Sequence, residues 1–400
     1  MTATQNARPL DGITVVSIEQ AIAAPFASRQ LADLGARVIK IERPNVGDFA
    51  RGYDERVNGL ASHFVWTNRS KESLTLDLKA EAAMPVMDKL LAEADVLIQN
   101  LAPGAAARLG LSHDALKDRF PRLIVCNISG YGEAGPMTDK KAYDLLIQSE
   151  AGMLSLTGGP GATEMAKVGV SIGDIAAGMY AYSQILAAII RRGVTGHGTS
   201  IDVSMLEALV EWVGYPLYYA YDGQEPPPRA GAAHSTIFPY GPFTAGDGKR
   251  VMLGLQNERE WAVFCEKVLE QPELTEDARF ASNSARSAAR EELTEIIHAA
   301  FAELSAADVV ERLEAAKIAN ARVNDMAGVW GHEQLAARNR WREVATPAGP
   351  VPAPLPPGAD IGYEHRMNGV PALGQHSDTI LAEYGYDEAA IQTMRDQGVI

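Results

Sequence analysis

The sequence predicts an α/β protein: a Rossmann-like, mostly parallel sheet in a large domain split along the chain, plus a smaller α+β domain between its parts. Two observations carry this expectation. Over the first 130 residues short β-rich runs alternate with helical stretches, and further on the texture changes between two proline-rich breaks. The β-rich runs are ITVVSI at 13–18, RVIKIE at 37–42, SLTLDL at 73–78, DVLIQN at 95–100 and RLIVCNIS at 122–129. Ala24–Leu34 and Ala80–Ala92 suit helices between them, which gives the βαβ rhythm of a helix-covered parallel sheet. The apolar runs are continuous rather than alternating, as strands buried on both faces require.

Gly169–Arg192 reads as an Ala-rich apolar helix, followed by the strand-like TSIDVSM and a second long apolar helix over Leu206–Tyr221. Both helices are expected in the core. PPP at 226–228 and PAGPVPAPLPP at 347–357 then interrupt the pattern. Proline lacks a backbone donor, so neither stretch suits a helix interior or a central strand, and both read as linkers. Between them lie a hairpin turning at Gly246-Asp247-Gly248 and several Ala/Glu/Arg-rich helices. The expected division is a large domain over 1–225, a small α+β domain over 226–335, and a segment over 336–400 that links back to the large domain.

Composition narrows the function. The chain of 400 residues is 46% hydrophobic and 22% charged, and no apolar run reaches the roughly 18 residues that span a bilayer. The opening MTATQNARPLDG has neither a basic nor an apolar leader region, so a cytoplasmic location without membrane attachment is expected. A formal net charge of -15 disfavours nucleic acid, whose phosphates must be met by clustered cations. Cys126 and Cys265 stand far apart outside any CxxC spacing, and the histidines show no HExxH, so neither a disulfide framework nor a metal site is expected.

No GxxxxGK[ST] and no GxGxxG between a strand and a helix occurs, so the phosphate-cradling signatures of triphosphate and dinucleotide sites are missing. One pattern does match a catalytic motif. Gly169-Val-Ser-Ile-Gly173 fits the GxSxG nucleophile elbow, with a possible strand before it, and would make Ser171 the nucleophile of a hydrolase. Asp174 sits at the same turn, where amides at a helix start could hold its carboxylate ionised. From the residues alone, Asp174 reads as an ordinary helix cap or as a nucleophile, with the cap favoured.

The stretch PLDGITVVSIEQAIAAPFASRQLADLGARVIKIERPNVGD resembles the opening of the class III CoA-transferases, the group of formyl-CoA, carnitine and succinate-hydroxymethylglutarate CoA-transferases. The similarity continues in order through NRSKESLTLDLK, ADVLIQNLAPGAAARLGL, RLIVCNISGYGEAGP, KAYDLLIQSEAGM, VGVSIGDIAAGMYAY, GHGTSIDVSMLEA, AHSTIFPYGPF and PALGQHSDTIL. It therefore covers nearly the whole chain.

That resemblance implies an enzyme with no prosthetic group, taking a coenzyme A thioester as substrate and using Asp174 to form an acyl anhydride. It also implies CoA contacts from Arg43, Leu78, Lys79, Asn100, Leu101 and Arg108, with Lys141 and Tyr143 nearer the pantetheine and thioester. Gln20 and Ala21 would line the thioester pocket, their amides stabilising the oxyanion. The related α-methylacyl-CoA racemases carry a histidine where this chain has Tyr143, and a tyrosine with a pKa of about 10 is a poor proton shuttle. GAAHSTIFPYGPFTAGDGKRV is similar to the succinate-hydroxymethylglutarate branch, and no poly-glycine lid is present. A C4 to C6 dicarboxylate such as succinate, mesaconate, itaconate or a citramalate-like acid is expected, with His234 and Arg51 as candidate readers of its far carboxylate. Family members form interlaced homodimers, and the same is expected here.

Overall fold

The computed structural model describes residues 7–359 and 361–400. The first six residues, part of the opening read above as lacking a leader, lie outside the described residues, as does Asp360. The chain forms two compact units. One runs up to Ala151 and adds Val168–Val213 and Leu335–Ile400; the other takes Gly152–Lys167 and Gly214–Gln334. The boundary placed at 225/226 from sequence thus lies at 213/214 in the structure, and 152–167 goes with the smaller unit.

The larger unit is built on a six-stranded sheet. In chain order its elements include β1 (Thr14–Ile18), α1 (Ala23–Asp33), β2 (Arg37–Glu42), β3 (Lys71–Thr75), α2 (Ala83–Glu93), β4 (Val96–Gln99), β5 (Ile124–Ser129), α3 (Asp144–Glu150), α4 (Ile172–Thr195), β6 (Ser200–Ser204) and α5 (Met205–Val213). The strand order is β3-β2-β1-β4-β5-β6, and every pairing is parallel. Val15, Val16, Val96, Leu97, Ile124 and Val125 are fully buried, which is why the strand runs are apolar without alternation. The order reverses between β1 and β4, the crevice where open α/β sheets bind ligands beyond their strand ends.

The expected long helix over 206–221 is cut. α5 stops at Val213, Gly214 has φ 50 and ψ -114, and Pro216 enters the first turn of a new short helix, Tyr215–Tyr219. A proline here cannot continue the hydrogen-bond ladder of α5, and glycine supplies the turn. The tail is also not core: Tyr215, Tyr218 and Tyr221 stand exposed.

The smaller unit carries the antiparallel sheet β7 (Tyr240–Thr244), β8 (Arg250–Gly254) and β9 (Ala319–Arg322), with β7 and β8 joined through the Gly246–Gly248 turn. Trp261, Phe264, Phe280, Ile297 and Phe301 fill its own core.

The proline-rich stretch at 347–357 is more than a linker. Val351–Pro354 forms β11 and pairs antiparallel with β10 (Trp341–Val344). A two-stranded ribbon has only edge strands, so Pro352 and Pro354 are tolerated there. The chain then returns to β3: His376 N–H donates to the Ser73 carbonyl (3.0 Å), while Ser73 N–H donates to His376 Nδ1 (3.1 Å) and Thr75 N–H to Ser377 Oγ (3.0 Å). These bonds cover the sheet edge that β3 would otherwise leave open.

Candidate active site

Asp174 lies in the first turn of α4. Its surroundings differ from the sequence expectation in one respect. The amides at this helix start do not serve Asp174; the Gly173 and Asp174 N–H groups both donate to Asp144 Oδ1, at 2.7 and 3.3 Å. Asp144 Oδ2 in turn accepts from Gln148 Nε2 at 2.6 Å, and Gln148 Oε1 accepts from Val168 N–H at 2.9 Å. Asp144 and Gln148 of α3 therefore clamp the segment leading into α4. Burial pushes the Asp174 carboxyl up to about 7, and the neighbouring Asp144 charge adds to the effect. A carboxylate of that basicity is about half ionised at neutral pH and a better nucleophile than an ordinary aspartate.

α4 is pressed against α1. A Cβ on Gly178 would stand 2.7 Å from the Ala23 carbonyl oxygen, so only glycine permits this approach, one turn beyond Asp174. The loop before α1 holds Gln20 and Ala21, and their amides are already engaged. Gln20 N–H donates to Asn100 Oδ1 (2.9 Å) and Ala21 N–H to Asp48 Oδ1 (3.0 Å). The oxyanion role assigned to these amides is therefore not available to them as they stand. Asn100 Nδ2 also donates to the Gln20 carbonyl (2.9 Å), so its side chain ties β4 to β1 across the crevice instead of facing a ligand. Ala21 has φ 63, an uncommon left-handed geometry for a residue with a Cβ, and Asp48 holds it there.

Beneath this loop is a buried charge network that the sequence reading missed. Glu19 Oε1 accepts from Lys71 Nζ (2.5 Å) and Lys40 Nζ (3.2 Å), and Lys40 also donates to Asp48 Oδ2 (2.7 Å). Burial alone would raise Glu19, but Lys71 and Lys40 outweigh it and hold the carboxyl down to about 2. The available signal was a lysine and a glutamate inside the apolar strand RVIKIE, since buried charges occur only when paired. Arg51 belongs to the same system. Its Nε and Nη2 donate to the two oxygens of Glu42 (2.9 and 2.7 Å), and its guanidinium lies 3.7 Å from the Phe64 ring centroid. Arg51 is consumed by this pairing and does not read a substrate.

Of the residues assigned to CoA, Arg43, Leu78, Lys79, Leu101 and Arg108 line one cavity of 380 Å³, together with Gln20, at the C-terminal ends of β1 to β4. Arg43, Lys79 and Arg108 form no ion pair with a carboxylate among the described residues. Arg43 Nη2 and Arg108 Nη2 donate only to backbone carbonyls, of Gly47 (3.3 Å) and Pro103 (3.4 Å). These cations are placed for an anionic ligand. Asn100 and Lys141 do not line the cavity. Lys141 is exposed just before α3, and Tyr143, which precedes Asp144, is 70% exposed.

His234 belongs to the smaller unit. Its Nδ1 accepts from the Thr236 and Ile237 amides (3.2 and 3.1 Å), and its ring stacks on Tyr240 at 5.3 Å. These contacts give it a structural task. The nucleophile elbow fails on geometry. No strand precedes Ser171, which caps α4 without a side-chain bond to the helix, and no histidine accepts a hydrogen bond from its Oγ among the described residues. No group of three or more His, Cys, Asp and Glu suited to a metal occurs among the described residues.

The chain is similar to the succinyl-CoA:glutarate CoA-transferase of Mus musculus, with 34% identity over 98% of this chain and 90% of that protein. It is also similar to the acetyl-CoA:oxalate CoA-transferase of Acetobacter aceti, 32% identical over 97% of this chain and 100% of that one. The crystal structure of a CAIB/BAIF family protein from Brucella suis superposes with a TM-score of 0.83 at 32% identity, covering 94% of this chain and 100% of that chain. With the pattern of CoA-transferase family III matching residues 10–377, the chain belongs to that family and is an enzyme, a class III CoA-transferase.

Proposed function

We propose that the enzyme moves CoA from succinyl-CoA, or another dicarboxyl-CoA, to a free C4 to C6 dicarboxylic acid through a mixed anhydride on Asp174. The observation that carries this reading is Asp174 itself: a carboxyl raised by burial at the start of α4, on the same compact unit as a cavity edged by three cations that have no carboxylate partner among the described residues. The Asp174 carboxylate attacks the thioester carbonyl, the C–S bond breaks, and the CoA thiolate stays in the groove. The acceptor carboxylate then replaces the donor acid, and the thiolate takes up the new acyl group, which regenerates Asp174. One thioester is exchanged for another, so no ATP is needed.

Arg43, Lys79 and Arg108 serve the phosphates of CoA, while Leu78 and Leu101 supply apolar wall. Gln20 lines the same cavity, and its side chain takes the part of donor to the thioester oxygen, because its own amide and that of Ala21 are committed to Asn100 and Asp48. Lys141 and Tyr143 lie toward the thioester end, beside Asp144. The dicarboxylate preference, with succinate, glutarate, mesaconate and itaconate as candidates, is supported by the mouse relative, whose name states succinyl-CoA and glutarate. The reading extends to a cytoplasmic, interlaced homodimer. Exposed Ile190 and Val194 on α4 support a partner surface, and no helix among the described residues is long and apolar enough to cross a membrane.

Mass spectrometry of products after incubating succinyl-CoA with a panel of free acids tests this. New acyl-CoA species, formed only when a free acid is present, are expected. Rapid deuterium uptake at the α-carbon of a 2-methylacyl-CoA without any free acid would instead make the enzyme a racemase.

A further inference from the structure

The far carboxylate of a dicarboxylic acid carries a charge that is costly to bring into a pocket without a cation or several donors. The cations beneath the Gln20-Ala21 loop are spent: Arg51 on Glu42, Lys40 on Glu19 and Asp48, and Lys71 on Glu19. Arg43, Lys79 and Arg108 line the cavity assigned to CoA. A different side chain has to meet the acid.

The segment after Asp48 supplies one. Asp48 Oδ1 accepts the Ala21 amide and also the Ala50 amide (2.9 Å), so it caps the turn Phe49–Gly52 and fixes that turn beside the loop at the end of β1. Tyr53 follows directly. Asp54 then ties together the two ends of the next loop: Oδ1 accepts from the Arg56 and Ser62 amides (3.0 and 2.9 Å), and Oδ2 accepts from Ser62 Oγ (2.7 Å). This brings His63 back edge-on to Tyr53, with ring centroids 5.3 Å apart at 89°.

His63 Nδ1 faces Asp54 Oδ2 at 3.6 Å and Ser62 Oγ at 3.5 Å, and Nε2 has no hydrogen-bond partner among the described residues. Tyr53 lies within electrostatic reach of Asp174. Burial, then the charges of Asp48 and Asp174, push its phenol up to about 12, so it stays a hydrogen-bond donor.

We propose that His63, oriented by Asp54 and packed on Tyr53, reads the far carboxylate of the acyl group whose near end reacts at Asp174. The inference rests on the dicarboxylate reading above. It makes His63 a specificity-determining residue, with Nδ1 facing Asp54 and Nε2 left to meet the carboxylate.

The test compares glutarate with valerate, acids of equal length that differ in the far charge, as acceptors from succinyl-CoA. In His63→Gln the ratio of kcat/KM for glutarate over valerate should fall at least tenfold, mainly through KM for glutarate, and His63→Lys should recover part of it. A ratio unchanged within twofold, or equal losses for both acids, overturns the proposal. Should the variants fail to fold, the wild-type enzyme decides. Glutarate, and not valerate, should slow carbethoxylation of His63 by diethylpyrocarbonate, followed by peptide mass spectrometry; equal protection by both acids, or none by either, overturns it. A wild type that transfers CoA to no free acid defeats the transferase reading itself, and one that uses valerate as well as glutarate defeats the dicarboxylate reading. Preference for glutarate with an unaltered ratio in His63→Gln defeats this inference alone.

Discussion

At the start of α4, Asp144 takes the Gly173 and Asp174 amides, and the Asp174 carboxylate does not. If Asp174 is the nucleophile, Asp174→Ala abolishes CoA transfer in a folded enzyme, whereas Ser171→Ala retains most of it. An acyl-serine trapped on Ser171 would reverse that assignment. The pH profile follows from the raised pKa. kcat/KM for succinyl-CoA should rise with an apparent pKa near 7, and in Asp144→Asn, which keeps the accepting oxygen but drops the charge, the rising limb should move to lower pH.

Stability runs the other way. The folded-state pKa lies above that of a free aspartate, so the contribution of Asp174 is complete below about pH 4 and is lost as pH rises through the folded value of about 7. Asp174→Asn should therefore leave the melting temperature nearly unchanged at pH 4 and raise it at pH 8, by up to about 4 kcal/mol in unfolding free energy. An equal effect at both pH values would show that the carboxyl is not perturbed in the folded protein.

At the scale of elements, the site depends on two junctions. α4 meets α1 through the space above Gly178, and Gly178→Val must push the helices apart, costing about 1–3 kcal/mol and shifting the turn of α4 that carries Asp174. A melt combined with kcat measured below the melting temperature should show both losses. β2 carries the second junction. Lys40→Met removes the shared partner of Glu19 and Asp48 and leaves Asp48 without its ammonium, at an expected cost of about 3–5 kcal/mol. Chemical denaturation checks this, and a loss below 1 kcal/mol would show that the network is not needed for folding.

The elements themselves were unequally legible. The runs at 13–18 and 37–42 announced β1 and β2 because both faces of each strand are buried. The break at Gly214 hid inside an apolar stretch that continues on both sides of Pro216, and β11 hid because prolines at an unopposed edge cost a ribbon little.

At the scale of the molecule, the sheet places everything. The order reversal between β1 and β4 opens the crevice that Asn100 bridges, and the cation-edged cavity lies at the ends of the same strands. Arg108→Ala and Arg43→Ala should each raise KM for succinyl-CoA about tenfold, as loss of a charge-assisted phosphate contact implies, with kcat changed far less. Sedimentation equilibrium should give about twice the chain mass of 42.9 kDa if the homodimer proposal holds; a species at the chain mass alone would remove it.

The sequence by itself determined the α/β class, most of the parallel strands and the family, and it singled out Arg43, Leu78, Lys79, Leu101 and Arg108, which line one cavity. These properties are written in local periodicity and in contiguous motifs, both of which survive being read one segment at a time. Tertiary structure alone decided which carboxylate receives the α4 amides, that the Gln20 and Ala21 amides are occupied, that Arg51 is spent on Glu42, and that Lys40, Lys71, Glu19 and Asp48 form one buried system. The partners in these contacts come from different strands and loops, up to 80 residues apart in the case of Gln20 and Asn100. What a charged or amide group does depends on which of its possible partners reaches it first, and only the folded chain settles that.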